Sequence, residues 1–345
     1  MLELNGKKII VTFLMHLGDL VLTTPFLHVL RQAAPQAHIT YLVDEKLKDV
    51  VKNNPNIDEV MTIDKKGHDD SILSLYRFAQ TISKGNYDVL INLHPNERTS
   101  FIDFCAKVPV KVGFSHFLFR PFLTKVTPLD RNLHAADMYI DVLRQLGITN
   151  LDNNGLEIFP SAENKKRAAE FWLQQKLTPQ DEVIGFNIGS AVETKRWATE
   201  RFAQVADTLA NKGYKIIFFG GKMDEEMVNK AIGFMQTAPI IATGCFSIGE
   251  LAAAMQRCKL IITNDSGPMH VAISQKVPIV ALYGPSHIDL YGPYTKKATV
   301  VTAIPPCTGC AKAMRHKCDD MQCMTRLTVE QVLEAAEKWL HNDEK

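Results

Sequence analysis

The stretch Asn264-Asp265-Ser266-Gly267-Pro268-Met269-His270 has the residue types of an anion site. The apolar runs on either side, Leu260 to Thr263 and Pro278 to Leu282, are short and β-branched, as buried strands are. The stretch between them is therefore the loop and helix of a βαβ crossover. Asp265 and Ser266 close the first strand, Gly267 lets a ligand approach the backbone, and Pro268 suits the first turn of a helix. N–H groups from Ser266 to Met269 would then face a diphosphate, with ~0.3–1 kcal/mol per charge from the helix dipole. His270, one turn in, could reach the same ligand. The competing reading is that Asp265 and Ser266 only cap the helix and His270 packs on the sheet.

Further loops carry groups of the same kind. After the strand Val183 to Asn187 come Gly189, Ser190 and the run Lys195-Arg196-Trp197, where Lys195 could neutralise phosphate or be a solvated helix-entry charge. The strand Lys215 to Phe219 ends in Gly220 and Gly221, which would admit a nucleoside closely, and Glu225 could accept from a ribose hydroxyl. Near the start, the strand Lys8 to Leu14 runs through Gly18 and Asp19 into a helix expected over Leu20 to Ala33, with Thr23 in its first turn. Asp19 is either an N-cap carboxylate or a group at the crevice where open α/β sheets bind ligands. The dinucleotide fingerprint GxGxxG is absent, which argues against a dehydrogenase. No DxD pair of carboxylates marks a divalent-metal site, so neither a metal nor a cofactor is expected.

The elements that must hold these loops follow from length and alternation. A chain of 345 residues is too long for one ordinary core, and 46% hydrophobic with 22% charged residues fits a globular enzyme. A net charge of +1 predicts no general attraction to nucleic acid. No run approaches the ~18 apolar residues of a membrane span, and the chain enters a strand directly, so a cytoplasmic protein is expected. Strands and helices alternate through both halves, which predicts two doubly wound α/β domains, 1–160 and 161–345, joined by the polar stretch around 149–161.

Two segments stand apart from the alternation. Ser115 to Lys125 is aromatic and basic together; it is either a packed loop or a surface where Arg120, Lys125 and nearby Arg98 hold an acidic, lipid-linked acceptor, with Phe117, Phe119 and Phe122 at the bilayer interface. Cys307, Cys310, Cys318 and Cys323, with His316, could bind zinc, although their spacing is less regular than paired CxxC knuckles. Reduced thiols packing a loop are the simpler account. Cys105, Cys245 and Cys258 read as core residues.

Taken together, GDLVLTTP (Gly18 to Pro25), VGF (Val112 to Phe114), KRW (Lys195 to Trp197), FFGG (Phe218 to Gly221), GELAAAMQRC (Gly249 to Cys258) and NDSGPMHVA (Asn264 to Ala272) resemble the lipopolysaccharide heptosyltransferases of glycosyltransferase family 9. The resemblance implies a GT-B fold, two facing Rossmann-like domains with the acceptor on the N-terminal one and the nucleotide on the C-terminal one. It implies ADP-heptose as donor, an inner-core lipopolysaccharide acceptor at the inner face of the cytoplasmic membrane, and a last helix that leans back on the first domain. Asp19 falls at the place of the family's base, implying an inverting displacement in which Lys195 and the N–H groups of the 265–270 loop stabilise the leaving diphosphate, while Thr23, Arg98, Arg120 and Lys125 meet the acceptor. A nucleotide-sugar epimerase or hydrolase of the same fold is the alternative enzyme. A catalytically idle binding protein would not need Asp19, Lys195 and the 265–270 set together.

Overall fold

A computed structural model describes residues 2–64, 67, 69, 71–114, 123–304, 309–310, 318 and 320–341. The chain forms two compact units, Met1–Phe159 and Pro160–Lys345.

In the first unit six strands, β1 (Lys8–Thr12), β2 (His38–Asp44), β3 (Glu59–Ile63), β4 (Val89–Asn92), β5 (Val110–Phe114) and β6 (Lys125–Thr127), lie in the order β3-β2-β1-β4-β5-β6. Every pair is parallel. The central strands are continuous apolar runs because both faces are covered. The helices α3 (Ile72–Lys84) and α4 (Glu97–Cys105) pack together over Ile10, Leu42 and Leu90. The helices α1 (Leu17–Leu22), α2 (Thr24–Ala33) and α5 (Ala135–Gln145) also pack on one another.

The second unit repeats the plan with β7 (Val183–Asn187), β8 (Lys215–Phe219), β9 (Ile240–Ile241), β10 (Cys258–Asn264), β11 (Ile279–Leu282) and β12 (Ala298–Val301), ordered β12-β11-β10-β7-β8-β9 and again parallel throughout. Its helices are α6 (Ala162–Gln174), α7 (Thr199–Asn211), α8 (Glu225–Phe234), α9 (Ile248–Met255), α10 (Gly267–Ser274), the short α11 (Ile288–Tyr291) and α12 (Gln322–Thr325), and α13 (Val329–Leu340). The last helix, α13, packs an apolar face within the second unit. Val332, Ala335, Ala336 and Leu340 are buried with Ile262, Val280 and Leu282 in the second unit's own core. β6 and β12 were not legible as strands, because each is a short edge strand with little continuous apolar sequence.

The helix expected over Leu20 to Ala33 is broken at Thr23, and Pro25 explains where. A continuous helix would have residue 25 donate its N–H to the Val21 carbonyl, and proline has none. The Thr24 hydroxyl takes that carbonyl at 2.8 Å, and the Thr23 hydroxyl takes the Leu20 carbonyl at 2.7 Å. Helix α1 thus begins at Leu17 with His16 as its N-cap.

In both sheets the strand order reverses once, between β1 and β4 and between β7 and β10. At such a reversal the loops leaving the carboxyl ends of neighbouring strands diverge and open a crevice. The chain's polar loops lie at these two places.

The break also orients Thr23, which was expected to touch the acceptor. It is fully buried, and since its one proton goes to Leu20, its oxygen accepts from the Tyr41 hydroxyl at 2.7 Å. Burial holds the Tyr41 phenol far above its ordinary value, so it remains a donor. Thr23→Val should cost about 1–3 kcal/mol in urea unfolding by leaving Tyr41 without its acceptor. An acceptor-binding Thr23 would instead leave stability intact.

Candidate active site

At the reversal of the second sheet, Asp265 follows β10 directly and is 5% exposed. Its Oδ2 lies 2.8 Å from Nζ of Lys195, whose side chain is 16% exposed. The loop after β7 brings Lys195 there through fixed contacts. Asn264 donates to the Ile188 carbonyl at 2.7 Å and accepts the Trp197 N–H at 3.2 Å. Ser190 donates to the Asp265 carbonyl at 3.3 Å, and Arg196 Nε donates to the Ser190 carbonyl at 2.8 Å. Trp197, 1% exposed, is anchored by its indole N–H on the Leu327 carbonyl at 3.0 Å. The three residues of the KRW run therefore act differently. Trp197 fixes the loop, Arg196 braces it, and Lys195 carries the charge to the reversal.

Helix α10 starts beside this pair. Its N-cap, Ser266, makes no side-chain cap bond, because its hydroxyl takes a 2.8 Å bond from Asn187 Nδ2 and donates to the Asn264 carbonyl at 3.3 Å. The capping reading of Asp265 and Ser266 thus fails on both residues, since one pairs with Lys195 and the other turns back to β7. Gly267 and Pro268 form the first turn as expected and are partly exposed. Met269 gives its N–H to the Ser266 carbonyl at 3.1 Å and its side chain is fully buried, so it has no donor to offer a ligand. His270 is buried at 4% exposure.

The glycine loops hold a carboxylate of the chain itself. A Cβ on Gly189 would lie 2.2 Å from Oδ1 of Asp224, and one on Gly220 would lie 3.0 Å from the Asp224 Cβ. Asp224 also accepts the Gly221 N–H at 2.8 Å. It therefore bridges the loops after β7 and β8, and glycine is required at 189 and 220 to admit it. Glu225, the residue expected to meet the ribose, is exposed and lies against Gly244, whose φ of +72° would strain any residue with a Cβ. The signal for Asp224 was present in its spacing from Gly220 and Gly221, but three consecutive acids (Asp224, Glu225, Glu226) cannot be ranked without coordinates.

In the first unit Asp19 is the third residue of α1 and partly buried, within the first turn and not at the N-cap. Gly18 precedes it in the same turn. Arg98 is the second residue of α4, whose N-cap Asn96 makes a full capping box with Thr99. Asp19 and Arg98 thus follow the adjacent strands β1 and β4 at the reversal of that sheet. Lys125 opens the edge strand β6, exposed and two strands from β4, about 10 Å sideways. Arg120 and the aromatic run at 115–122 lie outside the described residues.

A residue that drew no attention in the sequence lies further along the helix that carries Arg98. Asp103, 2% exposed, accepts from Asn92 Nδ2 at 2.5 Å, and among the described residues its Oδ1 has no hydrogen-bond partner, like the buried hydroxyls of Ser100 and Thr12. Burial pushes the Asp103 carboxyl up to about 7, against the weaker pull of Asn92 and Lys111. Asn92 in turn accepts the His94 N–H at 2.9 Å, which sets the start of the loop leading to α4.

Among the described residues no three His, Cys, Asp or Glu side chains are grouped to hold a metal ion. Cys307 and His316 lie outside those residues. Cys323 is buried in the core of the second unit, and Cys310 and Cys318 are partly exposed. Cys258 is buried as expected, whereas Cys245 is exposed beside the Gly244 turn. No described helix is long and apolar enough to cross a membrane.

Two doubly wound parallel units, each with polar loops at its strand reversal, have the architecture of the GT-B fold. The structure of ADP-heptose lps heptosyltransferase II from E. coli superposes with a TM-score of 0.82 at 23% identity, covering 98% of this chain and 100% of that one. Residues 75–319 match glycosyltransferase family 9 (heptosyltransferase), and the chain belongs to that family. A crystal structure of a family 9 glycosyl transferase from Veillonella parvula DSM 2008 is 54% identical, with a TM-score of 0.93 over 98% of both chains. Lipopolysaccharide heptosyltransferase 3 of Escherichia coli (strain K12) is 26% identical over 94% of this chain and 96% of its own.

The raised Asp103 carboxyl has a measurable consequence. The folded protein keeps this proton to higher pH than the unfolded chain, so the group's contribution is favourable below its ordinary value of 3.8 and is lost as pH rises to about 7. Asp103→Asn should flatten that slope, matching the parent near pH 4 and exceeding it at pH 8 by up to ~4 kcal/mol in denaturant unfolding. A parent protein whose stability does not fall across that window would show Asp103 to be ionised and compensated.

Proposed function

We propose that this protein transfers heptose from ADP-heptose to the inner core of lipopolysaccharide at the inner face of the cytoplasmic membrane, by a single inverting displacement that needs no metal. The observation that carries the reading is the Lys195 ammonium, held 2.8 Å from Asp265 beside the first turn of α10. A nucleoside diphosphate leaving an anomeric carbon develops charge on its phosphate oxygens, and a positioned cation with a helix start stabilises it. The names borne by the E. coli relatives support heptose as the sugar and lipopolysaccharide as the acceptor.

The displacement also requires a base for the acceptor hydroxyl. Asp19 fits that role because it is a partly buried carboxylate at the β1 to α1 turn that is not the helix cap. Arg98, at the neighbouring β4 to α4 turn, would hold acidic groups of the acceptor, with Arg120 and Lys125 further along the same unit. Ser190, Gly220, Gly221, Ser266, Gly267 and Pro268 line the nucleotide side, and Asp224 stands nearer the ribose in this reading than Glu225.

Three measurements test the proposal. Calorimetry should show ADP-heptose binding unchanged by chelator; binding abolished by chelator and restored by a divalent cation would overturn the metal-free mechanism. Lys195→Ala should weaken ADP binding and slow transfer together. Asp19→Asn should lower single-turnover transfer by about 10²–10⁴-fold with donor affinity nearly unchanged. Transfer within a few-fold of the parent would remove Asp19 as the base.

A further inference from the structure

Asp265 Oδ2 has a second donor besides Lys195. Ser286, 3% exposed, gives its hydroxyl proton to that same oxygen. The serine lies in the loop after β11, 21 residues from Asp265 in sequence. Nothing in its spacing ties it to the anion loop. One segment holds the loop: Gly309 donates to the Ser286 carbonyl at 3.1 Å and Cys310 to the Pro285 carbonyl at 2.7 Å. At one end of it Tyr283, fully buried, gives its hydroxyl proton to the Tyr291 carbonyl at 2.8 Å beside Asp265, and burial and then the charge of that carboxylate raise the phenol well above its ordinary value. Gly309 is held at φ +67°, and a Cβ there would lie 2.6 Å from the His287 ring. Ser286 is thus a fixed donor, whereas Lys195 reaches Asp265 on a flexible stem.

This difference matters when a diphosphate arrives. The ligand competes with Asp265 for the Lys195 ammonium, and a buried carboxylate that stood to lose this charge with no other donor in place would hold the cation back. A second, immobile donor on the same oxygen lowers the cost of the exchange. We propose that Ser286 is a positioning residue that holds Asp265 while Lys195 turns to the donor's diphosphate, so that it governs nucleotide affinity through Lys195. The inference rests on the reading of Lys195 as the phosphate-neutralising group.

The test is a double-mutant cycle on the full chain, with ADP as the probe and dissociation constants read by ligand-detected NMR so that weak binding stays measurable. Ser286→Ala should weaken ADP binding by roughly 10-fold, as expected for losing a hydrogen bond to a charged group, and Ser286→Thr should restore it to within about 3-fold of the parent. In the Lys195→Ala background the further change Ser286→Ala should have no effect, because the cation it releases is gone. An equal loss with and without Lys195, or no loss at all, would overturn the positioning role. Should Ser286→Ala fail to fold, Ser286→Cys, of similar size and a weak donor, carries the same comparison. If Lys195→Ala alone leaves ADP affinity unchanged, the phosphate role of Lys195 fails, a result distinct from additivity in the cycle.

Discussion

The structure of the second unit turns on an ion pair that water hardly reaches, Lys195 with Asp265. Withdrawing two charges from water costs several kcal/mol per ion unless the geometry is good and other hydrogen bonds complete it. Here the completion is visible. Ser286 adds a donor to Asp265, Ser190 holds its carbonyl, and Asn264 and Trp197 lock the loop that delivers the lysine. A pair of apolar residues would pack such a position at least as stably. In the proposed reaction the pair keeps a cation beside the leaving diphosphate.

The same constraint shapes the loops on either side. Gly189 and Gly220 leave the space that the Asp224 carboxylate fills, and Asn187 reaches from the end of β7 to Ser266. The loops after β7, β8 and β10 are thereby tied through side chains and not through strand pairing. In the proposed reaction these ties hold the loop dipoles in place, so that only Lys195 has to turn to the ligand. The first unit differs: at its strand reversal stand a partly buried Asp19, an Arg98 and a buried Asp103 whose carboxyl is held near neutrality.

What could be read from the sequence follows from burial. Parallel strands covered on both faces are continuous apolar runs, so β1, β2, β4, β7, β8, β10 and β11 were legible, whereas the edge strands β6 and β12 left no such mark. The expected helix over Leu20 to Ala33 ran on through a Thr-Thr-Pro run in an apolar stretch, whereas Pro25 cannot donate to the Val21 carbonyl and the hydroxyls of Thr23 and Thr24 complete the break. The turn from β10 into α10 was legible because serine, glycine and proline follow one another within it. Ser286, Asp224 and Asp103 were not, because each acts on a partner brought near only by the fold or stands beside an equivalent residue.

Local sequence also misjudges the charge of the site. Read alone, Lys195 is a cation waiting for phosphate, but in the fold its charge is already matched by Asp265. Long-range attraction of a diphosphate is therefore weak, in keeping with a chain whose net charge is only +1. The uncompensated element is the start of α10, whose N-cap serine is turned away from the helix. In the proposed reaction that dipole draws the ligand first, and the lysine is gained only by exchange with Asp265. The affinity of such a site is set less by how much positive charge it carries than by how readily a buried carboxylate can part with its cation.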